Sequence, residues 1–256
     1  MAIRVGPGQS AQQEYKRRLR SWRTSARRRF LIGLAPVLAL AGVLEWWIGW
    51  HGIGVPLFGH IAALAVVLAW CGTLTAPQHV RAWRSGAEGE RRTARMLAPL
   101  ARRGAVILHD RALGKVANLD HLAIGHWGIA CINTKNWQAK GARVAVSPDG
   151  GTLWYGAHAQ NREVAKAHGE ARQAAAALRR PLDGLPVDVR PIIAVHGAPV
   201  GRRGILVFDG VVVIEARRLR GYLRKQRRVL SPAEVAQARQ AAKPGQAVDQ
   251  ALPPKE

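Results

Sequence analysis

The chain has 256 residues and a formal charge of +23, with 39 Lys and Arg against 16 Asp and Glu. The length allows one sizeable domain with a packed core plus an appendage. The charge excludes an electrostatically neutral surface and calls for an anionic partner, nucleic acid or an acidic membrane. Two cysteines, Cys71 in an apolar region and Cys131 in a predicted core strand, exclude a disulfide-stapled scaffold and fit a reducing compartment.

The charge is uneven. Residues 1–29 carry nine Lys or Arg and one Glu, residues 30–80 carry none and only Glu45, and residues 81–256 carry thirty against fourteen acids. Residues 1–29 read as a basic cytoplasmic tail that anchors topology and binds anionic lipid, at roughly 1 kcal/mol per basic residue near the surface. A nucleic-acid arm is the other reading.

Residues 30–80 hold two apolar stretches, 30–50 and 55–75, joined by HGIG. Each has about the 20 residues that cross a bilayer as a helix, so a transmembrane hairpin is expected. Trp46, Trp47 and Trp50 sit where interfacial aromatics belong, and Glu45 lies near the same end, within reach of headgroups. Arg23, Arg27, Arg28 and Arg29 precede the first stretch, and Arg81, Arg84, Arg91 and Arg92 follow the second. The positive-inside rule places both termini and the soluble domain in the cytoplasm of a two-span protein of the cell membrane. SARRRFLIG (25–33) resembles a twin-arginine export signal. Cleavage near Ala-Leu-Ala (39–41), however, would carry Arg81 onward across the membrane against the charge rule.

The soluble domain, 81–230, opens with a helix from about Gly86 to Gly104, then strands at 105–110, 119–125, 128–137 and 142–147. An alanine-rich helix is predicted over 159–180, stopped by Pro181, then strands at 191–197 and 205–216, the latter two strands around Asp209-Gly210. Helices near 216–226 and 232–242 follow. Residues 231–256 read as a C-terminal helix and a loose tail. This order makes an α/β domain layered around one mixed sheet.

The chemistry concentrates in NLDHLAIGHWGIACINTKNW (118–137). Residues two apart on a strand share a face, so Asn133 and Lys135 point the same way. If the hairpin turns at His126-Trp127, opposed residues sum to 253 and Asp120 lies across from Asn133. Their Cβ atoms are then about 5 Å apart. An acid, an amide oxygen and a lysine on one patch of sheet can hold a hydrated Mg²⁺ and help a hydroxide attack phosphate. His121 points to the opposite face, toward the core. The other histidines show no zinc-like spacing, and no phosphate-binding glycine loop is present.

The succession GAEGE (86–90), NLDH (118–121) and GIACINTKNW (128–137) resembles the nuclease-related domain, NERD, of the PD-(D/E)XK nuclease superfamily, over roughly residues 84–200. The resemblance implies a restriction-endonuclease-like mixed sheet flanked by helices. It implies Glu90, Asp120, Asn133 and Lys135 as catalytic positions, with Glu90, Asp120 and Asn133 as ligands of Mg²⁺ or Mn²⁺. Trp137 also suits the family. Asn133 departs from the pattern, standing where the family has an acid. It is a neutral, monodentate ligand, and Glu163 or Glu170 on the following helix could restore a carboxylate. The alternatives are that both decorate a solvated helix face and that Asp120 and Asn133 simply hydrogen-bond one another.

Three functions therefore stand open. The first is a membrane-anchored, Mg²⁺-dependent phosphodiesterase with a degenerate site, acting on DNA in preference to RNA. The second is an inactive nucleic-acid-binding domain, and the third a membrane-surface interaction protein.

Overall fold

The computed structural model describes residues 6–51, 57–113 and 117–255. These form two compact units, residues 1–12 with 85–256, and residues 13–84.

The smaller unit holds most of α1 (Gln9–Trp50), all of α2 (Leu57–Gly72) and the first turns of α3 (Gln78–Arg102). The basic tail and the first apolar stretch are one continuous helix of 42 residues, carrying Pro36 inside it. Among the described residues one helix is long and apolar enough to cross a membrane, and His60–Gly72 is a shorter apolar helix. Most of the HGIG connection and the start of the second stretch, 52–56, lie outside the described residues. Phe30 meets Trp70 edge to face, with ring centroids 5.3 Å apart. The start of the first apolar stretch thus lies beside the end of the second.

The larger unit is a mixed α/β layer structure. Strands β1 (Val106–Leu113), β2 (Ala117–Gly125), β3 (Gly128–Asn136), β7 (Val189–His196), β8 (Ile205–Phe208) and β9 (Val211–Glu215) form one sheet in the order β1-β2-β3-β7-β9-β8. The two hairpins, β1-β2-β3 and β8-β9, are antiparallel, and they join through the parallel pairs β3-β7 and β7-β9. A parallel pair needs a crossover, and α4 (Asn161–Leu178) supplies it between β3 and β7. A second sheet of β4 (Val144–Val146), β5 (Leu153–Tyr155) and β6 (His158–Ala159) fills the approach to α4. The strand expected over 142–147 is therefore short and belongs to this second sheet.

Side-chain alternation sorts the sheet into two faces. Ala171, Ala174 and Leu178 of α4 pack with Leu122, Ile124, Ile129 and Cys131. Leu97 and Leu100 of α3, with Leu219 and Leu223 of α5 (Ala216–Lys225), pack with Ala123, Ala130, Ile132 and Ile192 on the other face. By the period of two, Asp120, Asn133 and Lys135 fall on the α4 face.

Helix α3 starts eight residues before Gly86, because no breaker intervenes between Gln78 and Gly86; residues 73–77 separate it from α2. The segment after residue 242, expected to be loose, is folded. Helices α6 (Pro232–Ala241) and α7 (Ala247–Ala251) bury Ala238, Val248 and Leu252 completely against the β1-β2 core. Beyond α7, Pro254 bridges Arg111, and Ala112 N–H donates to Pro253 O at 2.8 Å, so the tail covers the edge strand β1. Isolated Leu and Val in a polar stretch give no periodic signal. Burial of Leu252 predicts that Leu252→Ala lowers stability by about 2–5 kcal/mol in denaturant unfolding. A loose tail would leave stability unchanged.

Candidate metal centre on strand β3

The hairpin register places the motif residues. The β2-β3 ladder runs from Gly125↔Gly128 to His121↔Ile132, every pair summing to 253. One step further brings Asp120 beside β3, where its Oδ2 accepts a hydrogen bond from Thr134 N–H at 2.7 Å. Asn133 is buried and turns its amide the other way, donating from Nδ2 to Glu170 Oε2 at 2.9 Å. The simple Asp120–Asn133 pair is thus replaced by two separate bonds, one to backbone and one to α4.

Helix α4 supplies what the strand lacks. Glu163, Lys166 and Glu170 lie three and four residues apart, one stripe of a helix. Glu170 is only 3% exposed, and its Oε1 lies 3.6 Å from Lys166 Nζ. Glu163 Oε2 lies 2.5 Å from Lys135 Nζ. The solvated-face reading of these two glutamates is therefore corrected, because the α4 crossover lays their stripe across β3. Sequence reasoning misses Lys166, although the Glu163-x₂-Lys166-x₃-Glu170 spacing marks that stripe.

Glu90 arrives from the opposite layer. Helix α3 approaches β3 closely at Gly89, where a Cβ would sit 3.1 Å from Asn136 Cβ and 3.3 Å from Thr134 Cγ2. One turn further, Thr93 is fully buried and contacts His196 Nε2 at 2.8 Å through its Oγ1, which also accepts from Thr134 Oγ1 at 3.2 Å. Asn136 Nδ2 donates to Ser85 O at 2.8 Å. These ties fix the α3–β3 spacing that delivers Glu90.

The electrostatics are those of crowded acids. Burial pushes Glu90 up to about 9, reinforced by the charges of Asp120 and Asp110. Burial also raises Asp120, against the pull of Thr134 N–H and Lys135. Glu170 is raised by burial and by Asp120. For Glu163, burial is outweighed by the hydrogen bond and charge of Lys135, and its pKa falls. Glu90 Oε2, Asn133 Oδ1 and Glu170 Oε1 are buried with no hydrogen-bond partner. Unsatisfied oxygens and mutually repelling carboxylates are what a hard cation would relieve.

Among the described residues no group of three or more His, Cys, Asp or Glu is spaced to hold a metal ion. The donor set still fits Mg²⁺, which takes one or two carboxylates, keeps several waters and accepts a carbonyl oxygen such as Asn133 Oδ1. Separately, His109 Nδ1 and His121 Nδ1 lie 2.8 Å apart. Burial depresses both, His109 to about 4 with Arg111 contributing, so the pair is neutral at physiological pH. As expected, His121 faces away from Asp120 and is buried.

A pH dependence follows. An acid whose folded pKa exceeds its unfolded value keeps its proton to higher pH in the folded state. Stability contributed by Glu90 is therefore present below its ordinary value of 4.5 and is lost as pH rises toward about 9. The limit is about 1.4 kcal/mol per pH unit for each such group. In EDTA, the melting temperature should fall between about pH 5 and about pH 9, and Glu90→Gln should flatten that fall. An unchanged slope in the variant would remove Glu90 from the account.

No curated protein and no solved structure matches the chain. Residues 85–196 match the family model of the nuclease-related domain, NERD, and the span from Ser85 on α3 to His196 at the end of β7 includes Glu90, Asp120, Asn133, Lys135 and Glu170, which supports a nuclease-related domain over this part of the chain.

Proposed function

We propose that the protein is a membrane-anchored, metal-dependent nuclease whose third acid comes from α4 instead of β3. The observation that carries this reading is the Asn133–Glu170 hydrogen bond at 2.9 Å. It ties a buried carboxylate to the strand position where the family pattern has its own. Glu90, Asp120 and Asn133 Oδ1 would hold Mg²⁺ or Mn²⁺, with Glu170 beside them. A bound ion there supplies Lewis acidity toward a phosphoryl oxygen and acidifies its water. Lys135, ion-paired with Glu163, presents an ammonium to the negative charge that develops on the phosphate. Asp120, fixed by Thr134 N–H, orients water from the opposite strand.

Nucleic acid is the proposed substrate, DNA ahead of RNA. Beyond the carboxylates, α3 carries Arg92 and Arg95, which with Met96, Arg217 and Arg220 line a cleft of about 560 Å³ between α3 and α5. Arginine forks match phosphodiester oxygens in pairs. Five residues separate Glu90 from Arg95, roughly 7–8 Å of helix rise, about one nucleotide step. The two apolar helices would anchor the domain at the cytoplasmic face of the cell membrane, with the basic tail against anionic headgroups.

The separation of the acids favours one other reading, an inactive domain that binds nucleic acid. Cleavage of plasmid DNA by the full chain in detergent, in Mg²⁺ or Mn²⁺, tests between them. Activity should vanish in EDTA and in Asp120→Ala, and fall by about 10²-fold or more in Glu170→Gln. Binding without cleavage in the native chain, with cleavage gained by Asn133→Asp, would establish the inactive reading.

Arg217→Gln with Arg220→Gln should weaken DNA binding and reduce the slope of log K against log salt by about 0.9 for each phosphate no longer neutralised. An unchanged slope would move the nucleic acid off this cleft.

A further inference from the structure

Outside the candidate centre, Asp110 is a buried acid in an unusual backbone conformation. It is fully buried in β1 and has a φ of +49°. A non-glycine residue there is strained, and a buried carboxylate needs donors. Its donors come from unexpected places. Ser10 N–H reaches Asp110 Oδ2 at 2.8 Å, Ser10 Oγ donates to Asp110 Oδ1 at 2.6 Å, and Asn118 Nδ2 donates to Oδ1 at 3.3 Å. Two of these three bonds come from a residue one hundred positions earlier, on the far side of the apolar region.

The contact extends along the first turn of α1. Gly8 has a φ of +72°, and a Cβ there would lie 2.7 Å from Ala87 O, so the chain passes α3 at backbone distance. Ala11 is buried, and Arg91 Nη2 lies 3.5 Å from Gln12 Oε1. Ser10 N–H is one of the free amides at the start of α1, so the Asp110 carboxylate caps that helix end from a distant strand. The backbone of Asp110 holds the other terminus, its C=O accepting from Lys255 N–H at 3.1 Å. Both ends of the chain meet on this residue, and its charge adds to the burden on Glu90 and Asp120.

We infer that residues 8–12 are a detached piece of the soluble domain, clasped by Asp110 beside the carboxylates, with the apolar region inserted between the two parts. Two consequences follow. A fragment beginning after the apolar region loses two of the three donors to Asp110. Where that region enters a bilayer, a reading taken from the preceding subsection, it must cross an even number of times, because Ser10 and Asp110 have to meet on one side. The Phe30–Trp70 contact agrees, since it places the entry of the first apolar stretch beside the exit of the second.

The test uses the full chain in lipid nanodiscs and reads hydrogen exchange by mass spectrometry. Residues 9–12 and 107–112 should be protected in the native protein. Gly8→Ala, which touches no carboxylate, and Ser10→Ala should each speed exchange in both segments about tenfold or more, with β7 unchanged. Unprotected 9–12 in the native chain, or Gly8→Ala exchanging at the native rate, overturns the clasp. A second arm places cysteine reporters at the exposed Gln9 and Gln173 in a Cys71→Ala background, in sealed vesicles treated with an impermeant maleimide. Both reporters should react from the same side, and labelling from opposite sides refutes the inference. A chain that does not sediment with vesicles removes the membrane reading alone, and the exchange arm still decides the clasp.

Discussion

The strand position Asn133 sets the problem that the rest of the domain answers. With a neutral amide there, the candidate carboxylates Glu90, Asp120 and Glu170 come from α3, β2 and α4. Each comes from a different layer, so none can be placed without the others' scaffolding. Gly89 lets α3 close on the sheet, the two-residue turn at His126-Trp127 sets the strand register, and the parallel crossover lays α4 over β3. These acids lie inside a chain whose net charge is +23. Burial raises the pKa of each, and Glu90 Oε2 and Glu170 Oε1 have no hydrogen-bond partner. Nothing in core packing asks for that arrangement, because buried unpaired acids destabilise. A cation would relieve it.

In the proposed site a carboxylate on α4 would stand in for one on the strand, while Asn133 would offer one carbonyl oxygen and holds Glu170 through its amide. Lys135 gains a partner of its own, Glu163, so the helix replaces both the charge and the neighbour that the strand position would have given. Arg92 and Arg95 of α3 and Arg217 and Arg220 of α5 line a cleft, with Glu90 on the same helix α3.

What can be read from sequence is whatever depends on local period. The alternation in LDHLAIG and GIACINTKNW, with a turn at His126-Trp127, fixes register, and the observed pairs keep the sum of 253 throughout. The alanine-rich run ending at Pro181 announces α4, and Asp209-Gly210 announces the β8-β9 turn. Contacts between distant segments are not legible. The Glu170 bond spans 37 positions and the Ser10 bond 100; the helical spacing makes Glu170 a candidate without fixing its partner, and nothing reports Ser10. The C-terminal segment misleads for a related reason: Val248 and Leu252 are too few to form a pattern, yet they fill a gap left by β1 and β2. The His109–His121 pair, set edge to face across two strands, is equally invisible.

We propose that Glu90, Asp120, Asn133 and Glu170 form one divalent-cation site. The most direct measurement is Mn²⁺ binding to the full chain in detergent, followed by electron paramagnetic resonance. One ion per chain should bind, displaced by Mg²⁺, with affinity weakened by about tenfold or more in Glu170→Gln and abolished in Asp120→Asn. A native chain that binds no Mn²⁺, or one whose binding ignores both substitutions, would rule out this site and leave the carboxylates as a structural relic.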